Sequence, residues 1–300
     1  MKKAFTLVEM LVVIGIIGVL VATMAGLFRG STDKARMVKC MTNLKNLASA
    51  VGSSAMSSGH YPYAQSAQYM DTAGSEVAYR THKGWITYLD NDIEYPLKNP
   101  STFTQVSFAS DDADEISYAI TNGALWQAVG KMRDVYTCPA HVDACLKANH
   151  RTPGWSYQMN AYFGYEPEPG DAARTVHDVV NFHSVNRADR ILLFAEIQAV
   201  APKVANMQLP KINLSGGNGE KEMDACLVYK TKNGTESIGF NHASGRDMVG
   251  HVAFADGHVE AIIAPKAGNY ADLTDWLCKG SDYTYADGLY QEIKSTDVEQ

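Results

Sequence analysis

The sequence predicts an α+β protein in which one long amino-terminal α-helix packs on an antiparallel β-sheet head with long loops. Three observations predict it. An apolar run covers residues 10–28, and a helical stripe follows at Met37, Met41, Leu44, Ala48 and Val51. Beyond it, short β-type runs such as 190–197 and a turn signal at Asp256-Gly257 mark a sheet. At 46% hydrophobic and 20% charged, the 300 residues have the makings of a packed core, which excludes disorder of the chain as a whole.

Two lysines, Lys2 and Lys3, open the chain, followed by Ala4-Phe5-Thr6-Leu7-Val8 and a single carboxylate, Glu9. The 19 apolar residues after it suffice to cross a bilayer core of roughly 30 Å at about 1.5 Å per residue. They exceed the 7–15 residues typical, roughly, of the apolar part of a secretory signal. A carboxylate in lipid is costly unless it finds a partner, so Glu9 points to a purpose.

After Phe28 the helix continues as a stem. Its apolar stripe, widened by Cys40 and Leu47, faces a soluble domain, while basic and polar residues fill the other side. Gly52-Ser53-Ser54 and Ser57-Ser58-Gly59 mark its decay and Pro62 its end. A helix over 5–55 would be about 75 Å long.

Residues 61–110 are rich in Tyr, Ser and Asp without sustained period, predicting loops and one short helix near Trp85–Leu89. Tyr61, Tyr63, Trp85 and Tyr88 are expected to pack under those loops, a sugar-stacking surface being the alternative. The run 190–197 is continuously apolar, as in a central strand. A two-residue turn at Asp256-Gly257 would pair Phe254 with Val259 and Val252 with Ala261. Val252, Phe254, Val259, Ala261 and Ile263 would then share a buried face, with His251, His258 and Glu260 on the other.

Charge is divided. Residues 1–45 carry seven Lys/Arg against Glu9 and Asp33, a balance of +5, and the remainder carries −12. An acidic outer domain argues against nucleic-acid binding. The five cysteines leave an odd thiol, for which Cys40 is the natural candidate. Cys138 and Cys145 are close enough to bridge, with connectivity open.

His242, His251, His258, Asp256, Glu196 and Glu260 are the residue types for a metal or hydrolytic site. Yet the chain has no HExxH, no close nucleophile–base pattern and no phosphate loop, and Gly216-Gly217-Asn218-Gly219 reads as a flexible loop. The turn accounts for Asp256, and an exposed hairpin face for His258 and Glu260. No catalytic, metal or cofactor site is therefore expected. Asp272, Asp275, Asp282 and Asp287 raise calcium in the carboxy-terminal acidic segment as a lesser alternative to a solvated tail.

The amino-terminal residues resemble the type IV prepilins and the pseudopilins of type II secretion, in which a short basic leader precedes Phe-Thr-Leu-(Ile/Val)-Glu and an apolar helix. The resemblance implies a leader over 1–4, cleavage between Ala4 and Phe5 by a prepilin peptidase, and N-methylation of Phe5. Family members usually carry glycine where Ala4 stands. It further implies a transmembrane and polymerisation helix over 5–28, an amphipathic stem over 29–58 and a periplasmic or extracellular head over 59–300. Glu9 would then meet the new amino terminus of a neighbouring copy, a pairing that favours ordered addition to a filament.

The head is similar to a group of bacterial pilin-like proteins with a "GALxxY…CP…SYxxN" succession. Here this is residues 123–126, Cys138-Pro139 and residues 155–160. An acidic strand end follows at Glu196, then His242, then Phe254-Ala255-Asp256-Gly257-His258-Val259 in the element known as H-X9-DG. Thirteen residues separate His242 from Asp256, a departure from the nine in that name.

What the resemblance implies is a structural, non-enzymatic subunit of a type II secretion pseudopilus or type IV pilus-like filament. It would be anchored once in the inner membrane with its amino terminus cytoplasmic. Its expected partners are other pilin-like subunits, the peptidase and the assembly platform. The alternative is a secreted binding protein or hydrolase, cut after Thr23-Met24-Ala25. A surface adhesin that is exported but never polymerises is a third reading.

Overall fold

The computed structural model describes residues 7–64, 67–71, 78–82, 84–86, 113–147, 153–164, 180–198, 226–227, 238–266, 270–286 and 289–292. The expected cleavage position at Ala4 and Phe5 lies outside them, as do Tyr88, Asp287 and the 216–219 loop.

Helix α1 runs unbroken over Leu7–Ser58, and its two halves differ. The side chains of residues 7–21 are exposed, whereas Cys40, Leu44, Leu47, Ala48, Val51 and Ala55 are buried. Spacings of three and four keep those six on one face, which sinks into the head. The stripe begins in earnest at Cys40, since Met37 and Met41 are only half-buried. The helix passes Gly52 and ends one turn before Pro62, with Gly59 at φ +80° and its N–H donating to Ala55 O (2.8 Å). Among the described residues no helix is long and apolar enough to cross a membrane.

Two short antiparallel hairpins flank the main sheet in sequence. They are β1 (Ala67–Asp71) with β2 (Ala78–His82), and β9 (Tyr283–Ala286) with β10 (Leu289–Glu292). Between them lie α2 (Ala113–Thr121), α3 (Pro139–Lys147), β3 (Tyr157–Asn160), β4 (Leu192–Glu196), β5 (Cys226–Leu227), β6 (His242–Ser244), β7 (Asp247–Phe254), β8 (Val259–Ile263) and α4 (Tyr270–Lys279). The six-stranded sheet has the order β5-β3-β4-β7-β6, with β8 also on β7. It is antiparallel apart from the β3–β5 pair, which is parallel.

Val249 pairs with both His242 and Ile263, and Val252 with both Ala195 and Glu260. A strand residue has two flanks, so β8 lines one edge of β7 while β4 and β6 lie end to end along the other.

Both faces of this sheet are covered. The α1 stripe packs on one side with Leu193, Phe194, Ala253, Trp85, Tyr136 and Trp155. On the other, Tyr270, Leu273 and Leu277 of α4 pack against Leu192, Ala195, Val252, Phe254 and Ile262. A register shift between Leu192 and Phe194 puts two successive residues, Leu193 and Phe194, on the α1 side. Alternation then resumes, leaving Ala195 toward α4 and Glu196 toward α1. Each fully buried aliphatic side chain stabilises the head by roughly 1.5–3 kcal/mol.

Two expectations are corrected. The hairpin after β7 is not a two-residue turn. Ala253 pairs with Val259, Phe254 N–H donates to His258 O (2.9 Å), and Gly257 N–H donates to Phe254 O (2.9 Å). That is a three-residue loop closed by Gly257 at φ +89°, which shifts every later pair by one residue. His251 accordingly sits in the core and not on an exposed face, because β7 is sandwiched between helices. Tyr61, Tyr63 and Trp85 are buried inside the head, in keeping with the expected packing and not with a stacking surface.

A buried cluster where stem meets sheet as candidate functional site

Cys40 is not the free thiol expected from sequence, nor does Cys138 bridge to Cys145. Cys40 is bonded to Cys138, 98 residues away, while Cys145, Cys226 and Cys278 are reduced and buried. Two local features set the geometry. Cys40 is on the buried face of α1, and Cys138 precedes α3 as its capping residue, its carbonyl accepting from Val142 N–H (3.0 Å). Pro139 occupies the first helical position, where a missing N–H costs nothing. Asn43, one turn along α1, holds the approaching chain by donating Nδ2 to Thr137 O (2.8 Å) and Asp134 O (3.2 Å).

Against the disulfide lies a histidine–carboxylate group. His242 Nε2 is 3.4 Å from Cys138 Sγ and 3.1 Å from Glu196 Oε1. His251 Nδ1 reaches the same carboxylate oxygen at 2.7 Å, and Asn241 Nδ2 donates to Glu196 Oε2 (3.2 Å). The end-to-end placement of β4 and β6 explains this convergence. Glu196 ends one strand, His242 begins the other, and His251 lies between their pairing partners on β7. The two imidazoles meet edge to face, 4.6 Å between ring centres.

Electrostatics follow from burial. Glu196 is fully buried, which alone would push its pKa up. The hydrogen bonds and charge of His242 and His251 outweigh that and hold it at about 2, so the carboxylate is ionised. An ionised carboxylate only accepts, so His242 Nε2 and His251 Nδ1 are the protonated ring nitrogens. Nearby, burial lowers His141 to about 4, an effect that the Glu196 charge partly offsets. Its Nδ1 lies 2.9 Å from Ser156 Oγ. Burial, followed by the same negative charge, drives the Tyr157 phenol well above its ordinary value.

The structure thus brings together four of the residues singled out in sequence, Cys138, Glu196, His242 and His251, and adds Cys40, there expected as a free thiol, and Asn241. Periodicity could not reveal this, because strands 46 or more residues apart converge.

Asp256, Gly257 and His258 stand apart at the hairpin tip. Asp256 Oδ1 accepts from His258 N–H (2.9 Å) and lies 2.6 Å from His258 Nδ1. The His258 ring stacks on Phe254 at 4.3 Å. Lys45 of α1 donates to Gly257 O (2.8 Å), so the tip is a docking point for the stem. The acidic segment forms no shared calcium cage among the described residues. Asp275 is paired with Lys279 (2.7 Å) and Asp282 with Arg187 (2.7 Å), on separate elements.

Glu9 lies in the first turn of α1 within the exposed half. Residues 1–25 match the family model described as the prokaryotic N-terminal methylation motif. The chain is also similar to the toxin coregulated pilin of Vibrio cholerae serotype O1 (strain ATCC 39315 / El Tor Inaba N16961). The two are 31% identical over 130 residues, 42% of this chain and 54% of that pilin. The match therefore spans about half the relative's length. No solved structure matches.

Proposed function

We propose that this chain, similar to pilins at its amino terminus and over 130 residues to one of them, is a structural rather than catalytic, pilin-like subunit of a filament. In this reading prepilin peptidase cuts between Ala4 and Phe5, Phe5 is N-methylated, and residues 5–28 hold the subunit in the inner membrane before assembly. The head then faces the periplasm or the outside, and the filament is a type II secretion pseudopilus or a type IV pilus-like fibre.

The observation that carries the reading is the division of α1. A single helix buries one half in its own head and leaves bulky apolar side chains such as Leu7, Leu11, Ile14 and Leu20 exposed. So much exposed apolar surface calls for lipid or like helices around it. In this reading Glu9 meets the amino terminus of an adjoining subunit, an opposite charge whose pairing offsets the cost of placing either in lipid.

Mass spectrometry of protein taken from membranes tests this. A methylated amino terminus at Phe5 is the expected result, and a chain that begins at Gly26 overturns it. Glu9→Ala should leave the head folded and abolish filament incorporation.

A further inference from the structure

We propose that the Cys40–Cys138 pair, when reduced, forms with His242 and Glu196 a buried site for one zinc-class divalent ion. Four ligand groups from four separate parts of the chain converge there. Their donor atoms, two sulfurs, one imidazole nitrogen and one carboxylate oxygen, all lie within 4.8 Å of one another, and all four residues are buried. Two thiolates with nitrogen and oxygen ligands suit a tetrahedral ion such as zinc, whose bonds are about 2.0–2.3 Å.

The surroundings are those of a prepared site. His251 and Asn241 hold the two oxygens of Glu196 at 2.7 and 3.2 Å, fixing the carboxylate as outer partners commonly do for metal ligands. Charge permits the exchange too. Two thiolates and one divalent ion sum to zero, as the neutral disulfide does, so the ion offsets the charge that reduction and deprotonation create in a buried site. Either form ties α1 to the head at the same place, one by a covalent bond and the other by coordination.

The chemistry balances with a phosphine as reductant. The S–S bond breaks, phosphorus gives two electrons and takes oxygen from water, and the two protons of that water end on the sulfurs. Loading the ion then releases both thiol protons. His242 coordinates through Nε2, its remaining ring proton residing on Nδ1.

Cobalt(II) is the probe. Full-length protein in detergent is reduced anaerobically with a phosphine, freed of it, and titrated with cobalt(II) alone. The oxidised chain serves as the unmutated control. The expected result is one cobalt per reduced chain, with a thiolate-to-metal charge-transfer band and tetrahedral d–d bands that zinc abolishes. None of these bands appears in the oxidised chain. Cys40→Ser should remove most of the charge-transfer intensity, and His242→Ala should weaken binding at least tenfold. Cys145→Ser and Cys226→Ser should change neither.

As a second reading independent of variants, zinc should raise the melting temperature of reduced protein and leave that of oxidised protein unchanged. Failure of reduced wild-type protein to give the bands overturns the proposal. So does a charge-transfer band undiminished by Cys40→Ser, which would place the ion on the other cysteines.

Discussion

The Cys40–Cys138 bond joins α1, at a buried residue where its stripe enters the head, to the cap of α3, across a sequence separation of 98. A cross-link over so long a stretch restricts the unfolded chain more than the folded one, by roughly 2–5 kcal/mol. Cys40→Ser should therefore lower stability by about that amount in chelator-treated protein. Urea denaturation of the variant beside the oxidised parent checks this, and equal midpoints would refute it.

Leu44 is fully buried among the residues that α1 contributes to the core. Leu44→Asp forces a carboxylate into that layer without a partner and should cost about 4 kcal/mol or more. Thermal melting reads the loss, and an unchanged transition would contradict the packing of stem on sheet.

Gly250 of β7 has Gly239 O where a β-carbon would stand, 2.1 Å away, and the obstacle is backbone that cannot swing aside. Gly250→Ala should destabilise the head by about 2–3 kcal/mol, whereas Gly52→Ala, with open space around it, should be neutral or stabilising. Parallel denaturant curves for the two variants distinguish close backbone approach from a general intolerance of glycine replacement.

His141 supplies a pH dependence whose direction can be worked out. Its folded pKa is lowered by burial from 6.5 to about 4, so the unfolded chain takes up a proton at a pH where the folded chain does not. Stability from this residue is complete above about pH 6.5 and falls as the pH drops toward 4, below which both states are protonated. The total is roughly 3 kcal/mol. His141→Gln should flatten the denaturant midpoint between those pH values, and a slope identical to the parent's would exclude His141 as its source.

How much of this could be read from sequence depends on the range of the forces involved. The helix was legible because its stripe at Leu44, Ala48 and Val51 repeats within a few residues, and the central strand 192–196 because it is apolar on both faces. The β7–β8 hairpin was legible as an element but not in register. Asp256-Gly257 favours a two-residue turn locally, yet Ala255 and Asp256 N–H donate to Ile191 O and Ala188 O, and those tertiary bonds accompany the longer loop. The Gly245-Arg246 turn between Ser244 and Asp247 had a usable signal, glycine at its first central position, that went unread.

The cluster itself was beyond local pattern. Glu196, His242 and His251 meet because β4 and β6 share one edge of β7, and Cys40 joins them because α1 crosses that face. Weighing each histidine against its immediate neighbours made an exposed hairpin sufficient for His258 and hid the burial of His251. Asn43, a polar residue on a helix, carries no local sign that its amide serves the carbonyls of Asp134 and Thr137 on the chain leading to Cys138.

The position of Cys40 also has a mechanical meaning. Tension applied along the bare half of α1 meets the Arg36–Asp143 ion pair and then the disulfide, before it can act on Leu44, Leu47 or Val51. Peeling, which would strip such contacts one by one, is blocked at its starting point, because a covalent bond holds Cys40 to Cys138. A subunit built this way resists being drawn out by its own tail.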